Sequence, residues 1–112
     1  MDKHLHARFH ALGDATRFAV VERLLQGPAS VSELAAPHPM ALPPFMKHLR
    51  VLEDAGLIQS EKQGRVRTCS IRADAFCQMN SWFHDRRRLW GTRFDQLEAQ
   101  LKKKEKTDAS SS

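Results

Sequence analysis

Lys47 and Arg50 lie three residues apart, and Lys62, Arg65 and Arg67 cluster soon after them. Such ammonium and guanidinium groups neutralise phosphates, an interaction that gives affinity for nucleic acid and weakens as salt rises. Other residue types suggest other chemistry. His4, His6 and His10 include an i, i+4 pair that could hold a metal on one helix face. Their acidic neighbours are only Asp2 and Asp14 and no thiol lies near, so an exposed histidine cluster is expected instead,. Cys69 and Cys77 could form a redox pair, yet neither sits in a Cys-x-x-Cys unit, and buried inert thiols are the expectation. The chain has no phosphate-binding glycine loop, no Gly-x-Ser-x-Gly, no His-Glu-x-x-His and no paired acid and base on adjacent elements, so enzymatic function is not expected.

Composition narrows the setting. The 112 residues include 18 Lys+Arg against 13 Asp+Glu, a formal charge of +5, and 41% are hydrophobic. One small basic domain fits, since domains usually hold about 100–150 residues. The longest uninterrupted apolar stretch is Phe18-Ala19-Val20-Val21, far short of the roughly 20 residues of a membrane-spanning helix. No apolar export segment follows Met1, so a cytoplasmic location is expected. Two cysteines fit a reducing compartment and are too few for a disulfide framework or a cysteine-only zinc site.

Leu5, Phe9 and Leu12, then Phe18, Val21, Leu24 and Leu25, recur at helical spacing. They predict two helices separated at Gly13-Asp14, with Asp14 capping the second and Gly27-Pro28 ending it. Ser30-Val31-Ser32-Glu33 has the form of a capping box and predicts a short third helix, Val31 to Ala36, stopped at Pro37-His38-Pro39. A fourth helix is predicted over 42–54, with Pro43 in the first turn and Gly56 as its stop. Phe45, Leu49 and Leu52 share its inner face. Pro43, Lys47, Arg50 and Val51 face outward, with Met46 and His48 on the flanks. Leu57 to Lys62 and Arg65 to Ile71 read as strands joined at Gln63-Gly64. Asp74 to about Lys104 reads as one helix of roughly 45 Å. Residues 105–112 are expected to be a disordered basic and serine-rich tail.

This order predicts a mainly α fold with a small β-hairpin, α-α-α-α-β-β-α, a dimeric winged helix-turn-helix over 1–104 in which 74–104 serves dimerisation. In such a fold the second helix of the pair enters the major groove and the hairpin reaches across phosphates. From Leu42 to Arg72, six basic residues stand against three acidic ones, a local excess of +3. Double-stranded DNA is therefore the expected partner. Pro44, Lys47 and His48 are candidates for base-edge or groove contact, and Arg50, Lys62, Arg65 and Arg67 for phosphates. His48 equally suits a packed flank position. Scattered surface charge is the alternative that the architecture disfavours.

Four segments occur in a specific order: Ala11-Leu12-Gly13-Asp14-Ala15-Thr16-Arg17, Val31-Ser32-Glu33-Leu34-Ala35, Lys47-His48-Leu49-Arg50-Val51-Leu52-Glu53-Asp54-Ala55-Gly56-Leu57-Ile58, and Gly64-Arg65-Val66-Arg67. Together they make the chain resemble, from roughly Leu12 to Leu101, the ArsR/SmtB-type bacterial transcriptional regulators, and within them the branch without metal-ligand cysteines. The resemblance implies a homodimer held by the first and last helices, usually a repressor released by an effector; release here could follow an unidentified small molecule, thiol oxidation at Cys69 or Cys77, or nothing beyond protein concentration. Metal sensors of the family carry Cys-Val-Cys where this chain has Ser30-Val31-Ser32, and its last helix offers only His84 beside Asp85. No metal sensing and no cofactor are therefore expected. The family often has serines where Ala41 and Met46 stand, which removes a helix cap and a hydroxyl contact to phosphate. Two other readings stay open: a protein-interaction module that has lost DNA reading, suggested by the bulky Pro44, Phe45 and Met46, and a regulator sensing redox through Cys69 and Cys77.

Phe76, Phe83, Trp90 and Leu97 recur every seven residues, and Met79, Phe94 and Leu101 widen the stripe. That pattern suits a helix packing along a partner helix, so these seven residues are the predicted dimer interface. Arg86, Arg87 and Arg88 interrupt the region and are expected to face solvent, in preference to pairing with Asp85 or Glu98 or binding an anion.

Overall fold

Asp14 and Ser30 start two helices by the same chemistry, a side-chain oxygen accepting from a first-turn N–H that has no partner within the helix. In the computed structural model, which describes residues 3–110 and the side chains of 4–105, α1 spans Lys3–Leu12 and α2 spans Ala15–Leu24. Asp14 Oδ2 accepts from Arg17 N at 3.0 Å. Ser30 Oγ accepts from Glu33 N at 3.1 Å, and Glu33 Oε1 accepts in return from Ser30 N at 3.3 Å. This reciprocal box, legible in the sequence, opens α3, Val31–Ala35. Helix α4 is Leu42–Asp54.

The wing is a three-stranded antiparallel sheet in the order β1-β3-β2, formed by β1 (Ala29–Ser30), β2 (Ile58–Gln63) and β3 (Val66–Ile71). Strand β1 is not among the elements the sequence predicts, because two residues show no periodicity. It exists by pairing, Ala29 opposite Cys69 and Ser30 opposite Thr68. The hairpin turn falls on Gly64-Arg65 rather than Gln63-Gly64, since Gln63 pairs with Val66. Gly64 has a φ of +62°, the conformation required at the first central position of a tight hairpin turn and strained for glutamine,.

The core gathers Val20, Val21 and Leu24 of α2, Leu34 of α3, Phe45, Leu49 and Leu52 of α4, then Leu57, Ile58 and Cys69 of the wing region. Burying these apolar side chains drives α2, α3, α4 and the sheet together. The chain divides into two compact units whose boundary lies between Gln78 and Met79, within α5.

The last helical region differs from expectation at two places. It is two helices, α5 (Ala73–Trp90) and α6 (Thr92–Ser110), separated at Gly91. Gly91 has a φ of +41°, which a right-handed helix cannot contain,. A continuous helix over 74–104 is thereby corrected. Helix α6 also runs on to Ser110, past the expected end at 104, so residues 105–110 are helical where a disordered tail is expected. Residues 111–112 of that tail lie outside the described residues. Lysine, glutamate and alanine in this stretch favour helix, and Lys102 pairs with Glu98 one turn earlier at 3.3 Å,.

Helix α4 ends in a tight reversal: Gly56 N donates to Glu53 O at 2.9 Å and Leu57 N to Leu52 O at 3.0 Å. The reversal needs Gly56 at a φ of +77°,. A Cβ there would stand 3.3 Å from Arg8 Nη2. The Gly56→Ala variant should accordingly lose about 1–2 kcal/mol of stability from the left-handed backbone alone. Urea unfolding monitored by circular dichroism measures it; unchanged stability would contradict this account of the helix end.

Candidate nucleic-acid interface

Helix α4 presents two chemically distinct faces. Phe45, Leu49 and Leu52 are buried, whereas Pro43, Pro44, Lys47 and Arg50 are exposed and Met46 and His48 half-buried. His38 stacks its ring 5.5 Å from that of Phe45, holding the turn between α3 and α4 against the inner face. The two outward cations are thus fixed by the packing behind them.

The wing supplies the other three. Lys62, Arg65 and Arg67 are all exposed. Lys62 lies directly opposite Arg67 in the ladder, a like-charge pair that is unfavourable until an anion lies across it,. Arg67 Nη1 donates to Ser60 Oγ at 2.9 Å, which orients the guanidinium along the hairpin. Arg65 sits in the turn itself. Arg50 and Arg67 border one shallow hollow with Met46, Leu49 and Glu53, so the helix and wing cations adjoin.

His48 has a more constrained position than Pro44, Lys47 or Arg50. Its Nδ1 lies 3.0 Å from Arg17 Nη1 and 3.7 Å from Asp14 Oδ2. A guanidinium only donates, so in the shorter contact Nδ1 accepts and the ring proton sits on Nε2. Arg17 also donates through Nε to Ala11 O at 2.7 Å. The imidazole is therefore tied to the α1–α2 junction, and only its Nε2 edge is left for a groove.

Two residues with the greatest mechanical consequence, Arg8 and Arg17, escape sequence reasoning as functional candidates. Arg8 is a buried charged residue, 7% exposed. Its Nε donates to Ala55 O at 3.1 Å and its Nη1 to Gln78 Oε1. It satisfies a carbonyl at the end of α4, where the helix itself provides no donor. The sequence signal is slight, an arginine on the same α1 face as Leu5 and Leu12.

Cys69 is wholly buried and Cys77 exposed, both as free thiols. Burial, reinforced by Glu53, pushes the Cys69 thiol up despite the opposing effect of Arg67. That disfavours the reactive thiolate. Among the described residues no group of three His, Cys, Asp or Glu side chains could hold a metal ion, and no helix is long and apolar enough to cross a membrane.

In the second unit, Phe83, Trp90, Leu97 and Leu101 are exposed, Phe94 is at the border of exposure and Met79 is buried; Phe76, in the first unit, is half-buried. Phe83, Trp90 and Phe94, with Trp82, Arg86 and Arg87, line an open groove of about 640 Å³. Arg87 does not simply face solvent: it pairs with Asp95 at 3.4 Å and Glu98 at 3.8 Å across the Gly91 break. Arg86 lies over the Trp82 ring at 4.9 Å.

Helix α3, the turn, helix α4 and a following antiparallel hairpin define a winged helix-turn-helix domain. A family model described as a helix-turn-helix domain matches residues 12–61. The chain is 52% identical to a solved ArsR family transcriptional regulator, RHA00566, covering 79% of this chain and 97% of that one with a TM-score of 0.76. At that identity and coverage the chain belongs to the ArsR family of transcriptional regulators. It is also 41% identical over 63 residues to the HTH-type transcriptional regulator Rv2034 of Mycobacterium tuberculosis, a match spanning 56% of this chain and 59% of that protein. The homodimeric winged helix-turn-helix DNA-binding domain Mb0332 of Mycobacterium bovis shares the fold at 21% identity, with a TM-score of 0.60 over 78% of this chain and 82% of that one.

The Asp14 cap links interface geometry to pH. The Arg17 backbone N–H, opposed by some burial and aided by the Arg17 guanidinium and the Thr16 backbone N–H, holds the Asp14 carboxyl below its ordinary 3.8. A carboxyl lowered in the folded state stabilises it above the unfolded pKa and loses that contribution as the pH falls through the lowered value. The Asp14→Ala variant should lose about 1 kcal/mol near neutral pH. Its deficit relative to the wild-type chain should narrow as the pH drops below 3.8. Denaturant unfolding at neutral and acidic pH tests both parts.

Proposed function

We propose that this chain is a homodimeric, non-enzymatic repressor of transcription in the cytoplasm, binding an inverted-repeat operator through α4 and the wing. The observation that carries this reading is the continuity of exposed cations, Lys47 and Arg50 on α4 with Lys62, Arg65 and Arg67 on the hairpin. Lys47, Pro44 and the Nε2 edge of His48 face base edges; Arg50, Lys62, Arg65 and Arg67 meet phosphates. Two-fold symmetry of the protein demands two-fold symmetry of the site.

The dimer is supported by the exposed aromatic and aliphatic row Phe83, Trp90, Phe94, Leu97 and Leu101. Homodimerisation of the Mycobacterium bovis domain lends the same arrangement by analogy of fold. A small-molecule effector would act by favouring a dimer geometry that separates the two recognition helices from successive grooves.

Affinity for duplex DNA should fall steeply with salt. The Lys47→Ala, Arg65→Ala double variant should bind weakly, with a salt slope shallower by about one for each phosphate it no longer neutralises. Fluorescence anisotropy over a salt series measures this. A wild-type chain without DNA affinity even at low salt would favour the protein-interaction reading instead.

Charging the row should separate the protomers. Leu97→Glu with Leu101→Glu should sediment as a monomer and bind an inverted repeat far more weakly than the wild-type chain. Sedimentation unchanged by the pair of substitutions would remove this surface from the dimer.

A further inference from the structure

Helix α4 begins with an edge poor in hydrogen-bond donors. A helix start ordinarily leaves about four backbone N–H groups free. The first bond within the helix is Phe45 N to Ala41 O at 3.3 Å. Of the four positions before it, Pro43 and Pro44 have no N–H, which leaves those of Ala41 and Leu42,. Ala41 makes no side-chain cap. Half of the donor set with which helix N-termini grip phosphate is therefore missing.

Hydrocarbon takes its place. Leu42 is 56% exposed, and Pro43 and Pro44 are exposed beside it. About 100° per residue sets Pro43, Lys47 and Arg50 on one outward face, with Pro44 on its shoulder. A duplex held by those cations would lie against the prolines as well.

In the major groove, guanine, adenine and thymine offer acceptors, adenine and cytosine offer amino donors, and thymine alone adds a C5-methyl group. The proline rings cannot answer a donor or an acceptor, and covering an unpaired polar base edge with them is costly. Covering a methyl group is favourable. We propose that Pro43 and Pro44 read thymine C5-methyl groups, so that each half-site carries A·T pairs under the first turn of α4, flanked by the Lys47 contact. This inference rests on the DNA-binding reading above and adds the base class that the helix start selects.

The test uses the full chain and duplexes enriched by it from a random-sequence pool. Each thymine of the enriched duplex is replaced in turn by deoxyuridine, which pairs identically and lacks only the methyl group. Affinity should fall roughly fourfold for the critical thymine in one half-site, and roughly fifteenfold when both half-sites are changed. The Pro43→Ser, Pro44→Ser variant should bind the thymine and deoxyuridine duplexes with equal affinity. If that variant does not fold, the wild-type comparison still decides the matter. Tolerance of deoxyuridine at every position, or enrichment of no sequence at all, overturns methyl reading and leaves DNA binding standing. Absence of any DNA affinity at low salt overturns both readings.

Discussion

The buried guanidinium of Arg8 fixes the end of the helix on which the interface depends. A charge is costly to remove from water unless its donors are matched, and Arg8 matches them with Ala55 O and Gln78 Oε1,. One side chain thereby joins α1, the reversal after α4 and the beginning of α5. The glycine at that reversal has two duties. Gly56 turns the chain, and its missing Cβ leaves room for the arginine. Arg17 performs a complementary task further along, joining Ala11 O to His48 on α4. The recognition helix is therefore held through hydrogen bonds made behind it, leaving the outward cations unconstrained by partners across the core.

Local signals in the sequence are legible where they act over a few residues. The capping box at Ser30 and Glu33, the Asp14 cap, the span of α4 and the division of its faces all follow from neighbouring side chains and helical period. Strand β1 is not legible, because its two residues are extended only by pairing with β3, far away in sequence. Arg8 is hidden for the same reason: its partners lie 47 and 70 residues later. The break at Gly91 escapes notice on different grounds. A lone glycine in a helical pattern costs only about 1 kcal/mol, so periodicity outweighs it until the backbone is seen.

The interface is legible as charge and only partly as geometry. Counting cations finds the wing, but the turn residue, the Lys62–Arg67 juxtaposition and the sharing of one hollow by Arg50 and Arg67 depend on register. His48 shows the limit most plainly. Its place on the flank of α4 allows a reader or a packed residue, and the Arg17 contact gives it part of each character.

The Gly91 break carries ion pairs on its outside. Arg87 reaches Asp95 and Glu98 across it, and all three side chains are at least half exposed. Such pairs are screened by salt, whereas the Trp90–Phe94 ring contact beside them, at 5.3 Å, is not,. The joint thus has a hydrophobic pivot and an electrostatic brace. Salt weakens the brace and leaves the pivot, in the same direction in which it loosens cations from phosphate.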